Sequence, residues 1–208
     1  MINRFYGLTL TVSMLSAGFA NATLLNSFET GIEGFESTAT LASSPLGASE
    51  GSMSLSVTFT GFAWIHSTGS DNAKMEEYAN ALLASSDKKL YIDYTVLGSG
   101  NGAWADAFLA LNDGGVGWRQ TAAGVNVPTT PGTHTVALDY SALAMPNYGA
   151  GNWFRFSFSI NGPASSTAPL TVYIDNIRTV DAVPEPASIV ALGVGLTAIL
   201  RKRRSRLS

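Results

Sequence analysis

Trp153-Phe154-Arg155-Phe156-Ser157-Phe158-Ser159-Ile160 alternates without a break. Phe154, Phe156, Phe158 and Ile160 fall on one side, and Trp153, Arg155, Ser157 and Ser159 on the other. Successive side chains of a strand point to opposite faces, so the stretch predicts a β-strand with one buried and one wet face. The same period of two recurs at Met53-Leu55-Val57-Phe59, set between serines and threonines, and at Leu90-Ile92-Tyr94-Val96. Leu24–Phe28, Ala107–Leu111, Thr135–Tyr140 and Leu170–Arg178 are shorter candidates. Between them lie Gly98-Ser-Gly-Asn-Gly102, Pro128 to Gly132 and Asn161-Gly162-Pro163, which carry turn chemistry.

One segment departs from this period. Met75, Tyr78, Ala79, Leu82 and Leu83 recur at helical spacing, with Glu76, Glu77 and Asn80 on the other side. The spacing predicts a helix over Ala73–Ala84, capped by Asp71 or Asn72 and crossing between sheets. Many short strands, one helix and no internal repeat predict an all-β fold, a two-sheet sandwich of jelly-roll type. No linker marks a second domain, so residues 23–182 read as one.

The two ends of the chain are written differently. Met1–Ala22 has Arg4 as its only charge, an apolar stretch from Leu8 to Leu15, and a closing Ala20-Asn21-Ala22. That is the layout of a signal peptide cut after Ala22, and it predicts export. At the other end Val183-Pro184-Glu185-Pro186 blocks helix and sheet, since each proline fixes φ and removes a donor. Ala187–Leu200 then carries no charge, and five of the last eight residues are basic. Fourteen helical residues span about 21 Å, short of the ~30 Å hydrocarbon core, which by length alone would suit a buried or interfacial helix. The run has no polar face, however, and the adjoining cations can snorkel to lengthen its span. The expectation is a membrane helix over 187–200 with a cytoplasmic basic stop over 201–208.

These tail residues resemble the PEP-CTERM sorting signal of Gram-negative bacteria. The resemblance rests on Pro184, Glu185 and Pro186, the apolar run and the basic end, all in the matching order. It implies an exosortase-type membrane enzyme as processing partner, a precursor transiently anchored in the inner membrane, and a mature protein at the cell surface or in the extracellular matrix.

Composition narrows the function. The chain has no cysteine, hence neither disulfides nor thiolate metal sites. Between Thr23 and Val183 there are fourteen acids and six bases, a net charge of −8 with no basic stripe. That argues against nucleic acid or anionic lipid as the domain's partner. No Gly-x-Ser-x-Gly elbow, His-Glu-x-x-His or phosphate-cradling loop is present. His66 and His134 stand in strand-like contexts and read as satisfied rim residues rather than catalysts. A carboxylate pair for glycoside hydrolysis stays open, but no pair stands out. The expectation is a protein that binds rather than catalyses.

Within the domain, Phe28-Glu29-x-Gly31 with Gly34-Phe35, Gly51-Ser52-Met53-Ser54-Leu55, and Val172-Tyr173-Ile174-Asp175-Asn176-Ile177 resemble jelly-roll carbohydrate-binding modules and galactose-binding-like domains. In such modules the first and last strands lie together, often around a structural calcium ion. The resemblance implies that Glu29 and Asp175 could share a cation, and hard oxygen ligands suit Ca2+. The alternative is that Glu29 caps a turn and Asp175 bonds local backbone. For a ligand, tryptophans beside polar groups offer what a sugar ring needs, an apolar face and partners for its hydroxyls. Trp104, near Asp106, and Trp118, followed by Arg119 and Gln120, are the candidates; packing at the core or an edge is the alternative for each. The reading is an exported β-sandwich that binds or forms part of surface polysaccharide, such as a biofilm exopolysaccharide. An adhesion protein without a sugar site and a cryptic glycan-active enzyme are the alternatives.

Overall fold

The computed structural model describes residues 22–98, 105–145, 153–162 and 169–180. The expected signal peptide up to Asn21, Trp104, the sorting motif Pro184-Glu185-Pro186 and the expected membrane helix 187–200 lie outside them. Among the described residues no helix is long and apolar enough to cross a membrane.

Among the described residues, twelve strands and one helix follow in the order β1 (Ala22–Asn26), β2 (Glu36–Ser37), β3 (Thr40–Ser44), β4 (Ser54–Phe59), β5 (Phe62–His66), α1 (Asn72–Ala84), β6 (Lys89–Val96), β7 (Asp106–Asp113), β8 (Arg119–Gln120), β9 (Val125–Asn126), β10 (Gly132–Asp139), β11 (Phe154–Asn161) and β12 (Leu170–Val180). They build two antiparallel six-stranded sheets. One runs β10-β6-β12-β4-β3 with β1 added on β12; the other runs β2-β5-β11-β7-β8 with β9 added on β7. This is the expected two-sheet sandwich with one helix.

The core follows the alternation read from the sequence. Leu55 and Val57 of β4, Leu90, Ile92 and Tyr94 of β6, and Ile174 of β12 are fully buried in the first sheet. Leu109 and Leu111 of β7 and Phe154, Phe156, Phe158 and Ile160 of β11 are fully buried in the second. The helix connects β5 of the second sheet to β6 of the first, and it buries Met75, Tyr78, Ala79 and Leu82. Asp71 is its cap, accepting from the amides of Ala73 at 3.0 Å and Lys74 at 3.1 Å. Tyr78 meets Phe156 edge-on at 5.0 Å, which seats the helix on the central strand of the second sheet.

First and last strands do lie together: Ala22 pairs with Val180, Thr23 with Thr179 and Leu24 with Arg178. β12 carries a bulge between Asp175 and Arg178, where Asn176 adopts φ +49°. Just before the bulge, the alternation that buries Val172 and Ile174 puts Asp175 on the outer face of the sheet, opposite Asp93 of β6.

Candidate functional site

The outer face of the second sheet carries an inverted pattern. In β5 the inward residues are Ala63 and Ile65, whereas Phe62, Trp64 and His66 face outward. Across the sheet, β11 answers with Ser157 opposite His66 and Ser159 opposite Trp64. β7 places Ala110 opposite Ser157 and Phe108 opposite Ser159, and β8 places Gln120 opposite Ala110. One row therefore reads Glu36, His66, Ser157, Ala110, Gln120, with small residues at its centre.

Aromatic rings close over that centre. Trp118, at the edge of β8, meets Trp64 edge-on with ring centroids 4.9 Å apart. Their strands are three inter-strand steps apart, about 14 Å at ~4.8 Å per step, so both indoles lean across β11 and β7. This explains why Ser157, Ser159 and Ala110 are fully buried although they point away from the core. His66 stacks near-parallel to Trp64 at 6.5 Å, and Phe62 meets Trp64 edge-on at 5.5 Å. Trp118 remains 45% exposed and Phe62 49%, which makes this the largest exposed aromatic surface among the described residues. A shallow cleft lined by Thr38, Thr40, Thr60 and Pro169 runs off its Phe62 end.

The polar groups around the rings are largely committed. The Trp118 indole N–H donates to Gln120 Oε1 at 3.3 Å. Arg155 pairs with Glu36 at 2.9 Å and lies over the Trp153 ring at 5.7 Å. His66 Nδ1 is 2.7 Å from Ser157 Oγ. Burial pushes the His66 imidazole below its ordinary pKa; Arg155 adds to this and Glu36 opposes it. A neutral ring is thus favoured at neutral pH. Ser157 is sealed beneath the rings, so the contact satisfies a buried hydroxyl rather than activating a nucleophile.

The candidates named from sequence separate here. Trp118 is on the aromatic face with Gln120 beside it. Arg119 is not: it pairs in register with core residue Leu111, and its guanidinium is held by Asp113 at 2.6 Å and by the carbonyls of Gly117 and Ala144. Burial alone would raise the Asp113 carboxyl, but the amides of Val116 and Gly115 and the guanidinium of Arg119 outweigh it and hold it low. Trp153 packs against the core edge and donates to the Gly69 carbonyl at 3.0 Å. Trp64, Phe62 and His66 were not singled out as a group, although the period-two pattern of β5 with bulky rings on the wet side marks them.

Glu29 and Asp175 both reach the connection between β3 and β4, which folds over the first sheet. Asp175 Oδ2 accepts from the amides of Ser49 at 2.7 Å and Glu50 at 2.8 Å, and Oδ1 from Asn176 at 2.7 Å. Glu29 Oε1 accepts from Ser52 at 2.7 Å and Met53 at 2.8 Å. These amide bonds, together with the Ser52 hydroxyl, hold the Glu29 carboxyl below its ordinary range. The acid beside Asp175 is Asp93: Ser49 Oγ lies 2.9 Å from Asp93 Oδ2 and 3.3 Å from Asp175 Oδ2. Burial raises Asp93, but Thr135, Ser49, Asn176 and Arg178 outweigh it and keep it low. The lowered Glu29 and Asp93 carboxyls contribute stability that is present above the ordinary carboxylate range and is lost below it, as pH falls toward their lowered folded-state values. Gly47 and Gly51 let the loop approach this closely. A Cβ at Gly47 would meet Tyr173 at 2.4 Å, and one at Gly51 would meet Glu29 at 2.4 Å. Among the described residues there is no group of three or more His, Asp or Glu able to hold a metal.

Residues 182–204 match the family described as the PEP-CTERM protein-sorting motif. The chain carries a PEP-CTERM sorting motif. It is the signal of an exported protein processed at a membrane. No curated protein matches the chain. Among solved structures, a study of promiscuous carbohydrate-binding modules of the β-sandwich superfamily contributes one at TM-score 0.50 and 13% identity, over 74% of this chain and 60% of that one. The chain thus spans about 60% of the length of that structure. The family 11 carbohydrate-binding module of Clostridium thermocellum, solved with a β-1,3-1,4-mixed-linked tetrasaccharide, aligns at TM-score 0.49 and 15% identity over 81% of this chain and all of its own. The xylan-binding CBM22-1 domain of Paenibacillus barcinonensis aligns at TM-score 0.46 and 16% identity, over 80% of this chain and all of its own. At 13% identity the likeness to the first of these is one of fold: the domain resembles carbohydrate-binding-module sandwiches.

Proposed function

We propose that this domain binds surface polysaccharide, and that an exosortase-type enzyme sorts its precursor through the C-terminal motif. The observation that supports glycan binding most is the outward aromatic face, Phe62, Trp64 and Trp118, built over a row of small residues. Exposed indoles with carboxamides and hydroxyls nearby suit the apolar faces and the rim of hydroxyls of sugar rings.

The ligand proposed is a neutral glycan. All three arginines of the domain are paired, Arg119 with Asp113, Arg155 with Glu36 and Arg178 with Asp93. A uronate or sulfate would therefore compete with an existing partner at each guanidinium, on a domain already net negative. A glycan array on residues 23–182 tests this, with neutral and acidic polysaccharides side by side. Retention of neutral chains is expected; retention of acidic ones alone would overturn the class. No glycan bound, with adhesion to cells preserved, would favour the adhesion reading, and turnover of any polysaccharide would reveal an enzyme. Trp118→Ala is expected to weaken binding by about 2 kcal/mol, roughly thirtyfold, with the unfolding midpoint nearly unchanged.

For sorting, Glu185→Ala leaves the apolar run intact. Membrane association of the precursor is expected to persist while processing stops, read by gel mobility of the mature product. A normal-sized product would reduce the motif to a spacer.

Calcium belongs to the proposal as a ligand shared by Glu29 and Asp175. Both carboxylates converge on one loop, and their hydrogen bonds leave lone pairs free for a hard cation. A bound ion would raise the unfolding midpoint in excess calcium and lower it with chelator. Equal midpoints would assign both carboxylates to the loop amides alone.

A further inference from the structure

The groove between β1 and the start of the helix carries an unanswered acceptor at its floor. Leu24, Asn26, Thr30, Glu33, Asp71 and Glu77 line a cavity of about 430 Å³, within the ~300–1,000 Å³ of small-molecule sites. Asn26 is only 2% exposed, and its amide stands only one way round. Nδ2 donates to Glu33 Oε2 at 2.8 Å and to Tyr78 Oη at 2.9 Å. A carboxylate oxygen accepts and never donates, so the nitrogen has to face Glu33. Oδ1 is the other end, buried and without a partner among the described residues. A buried acceptor in this state calls for a donor from outside the chain.

Charge at the groove points the same way. Asp71 caps the helix through Oδ1, and Glu77 holds Lys74 at 3.0 Å, so three carboxylates with Glu33 stand against one cation. Burial pushes the Tyr78 hydroxyl up to about 12, and Glu33, Glu77 and Asp71 add to the rise against the Asn26 bond. The field there favours positive charge.

We infer that this groove binds the primary ammonium of an amino sugar, with N–H bonds to Asn26 Oδ1 and the Glu33 carboxylate. An ammonium brings three donors and one charge, which answers the orphaned acceptor and the excess carboxylate together. A water satisfies Oδ1 but leaves the charge unbalanced. A hard divalent ion wants several carboxylates around it, and among the described residues no group of three or more His, Asp or Glu is able to hold one. The walls suit a sugar ring: Leu24 is 41% exposed and offers an apolar face, while Ser27 and Thr30 supply hydroxyls. β1 and the helix build this groove, whereas β5 and β8 carry the aromatic face, so the two sites stand or fall separately.

The test titrates D-glucosamine into the full-length protein in a polyoxyethylene detergent at neutral pH. Heat and the side-chain amide resonances of Asn26 are the readouts. Saturable binding that shifts those resonances is expected, with N-acetylglucosamine and methylamine each at least about tenfold weaker. Glu33→Gln, which still accepts from Asn26, is expected to lose glucosamine at least about tenfold, the worth of one charge-assisted bond. If that variant fails to fold, Glu77→Gln on the exposed rim is expected to weaken binding by about threefold. Trp118→Ala should leave glucosamine binding unchanged; loss there would move the sugar to the aromatic face and overturn the groove. Equal binding of N-acetylglucosamine would overturn the ammonium, and equal binding of methylamine the sugar. Displacement of glucosamine by calcium chloride would make the groove a metal site instead. Unshifted Asn26 resonances, or an undiminished affinity in both glutamine variants, would overturn the proposal as a whole.

Discussion

Phe156→Ala is expected to lower the unfolding free energy by about 3–5 kcal/mol, the cost of truncating a fully buried phenylalanine. Folded domains hold only about 5–15 kcal/mol, so the variant would sit near the edge of stability. The position makes the upper part of that range the natural expectation. Phe156 is fully buried on the central strand of the second sheet, meeting Tyr78 of the helix at 5.0 Å and Phe35 at 6.0 Å, both edge-on. Its removal leaves a hole between the sheet and the helix, where neither element can shift without breaking its own register. Urea denaturation of parent and variant measures the difference. A change below about 1 kcal/mol would mean that the aromatic cluster is not the mechanical centre of the core.

Asp175→Ala is the second large effect, expected at about 2–4 kcal/mol from amide donors left without an acceptor. The side chain is fully buried and receives the amides of Ser49, Glu50 and Asn176. Losing one of two facing acids relieves some repulsion of Asp93, which limits the net cost. Asp175→Asn keeps one acceptor oxygen and is expected to lose less. Chemical denaturation separates these cases, and the loop should show faster amide exchange at Ser49 and Glu50 in the alanine variant. An alanine variant as stable as the parent would remove the clamp from the account of this loop.

How much of this was legible beforehand follows from the physics of each element. The long strands β4, β6 and β11 were readable because one face is apolar and the other mostly polar, as burial on one side demands. The helix was readable because its apolar spacing changes to 3.6. The short strands β2, β8 and β9, two residues each, carry no period and are set by the neighbours they pair with. β5 was glimpsed only through the strand-like context of His66, for the opposite reason. Its outer face carries the large aromatic rings and its inner face only Ala63 and Ile65, so a search for buried alternation overlooks it. Trp118 was found through the polar Arg119 and Gln120 beside it, but its partner Trp64 lies 54 positions earlier in the chain, and only the sheet order brings them together. Glu29 and Asp175 were read from sequence as sharing a cation or as bonding local turns, and the structure brings both to the loop between β3 and β4. That their oxygens face amides depends on the path of Gly47–Met53, which spacing does not encode.

The row His66, Ser157, Ala110, Gln120 gives the aromatic face an adjustable floor. Its central side chains touch neither the core nor solvent, so their size sets how far the two indoles can lean toward each other. Ser157 or Ala110 enlarged by a few carbons would prop the rings apart and open a furrow. Trimming Trp118 would flatten the surface instead. The load-carrying layer, Leu109, Leu111, Phe156 and Phe158, lies on the far side of the same strands and is untouched by either change. The sandwich therefore separates what it holds together from what it can grip. For the proposed glycan site, single substitutions on one side of a sheet can reshape the surface while the other side keeps the chain folded.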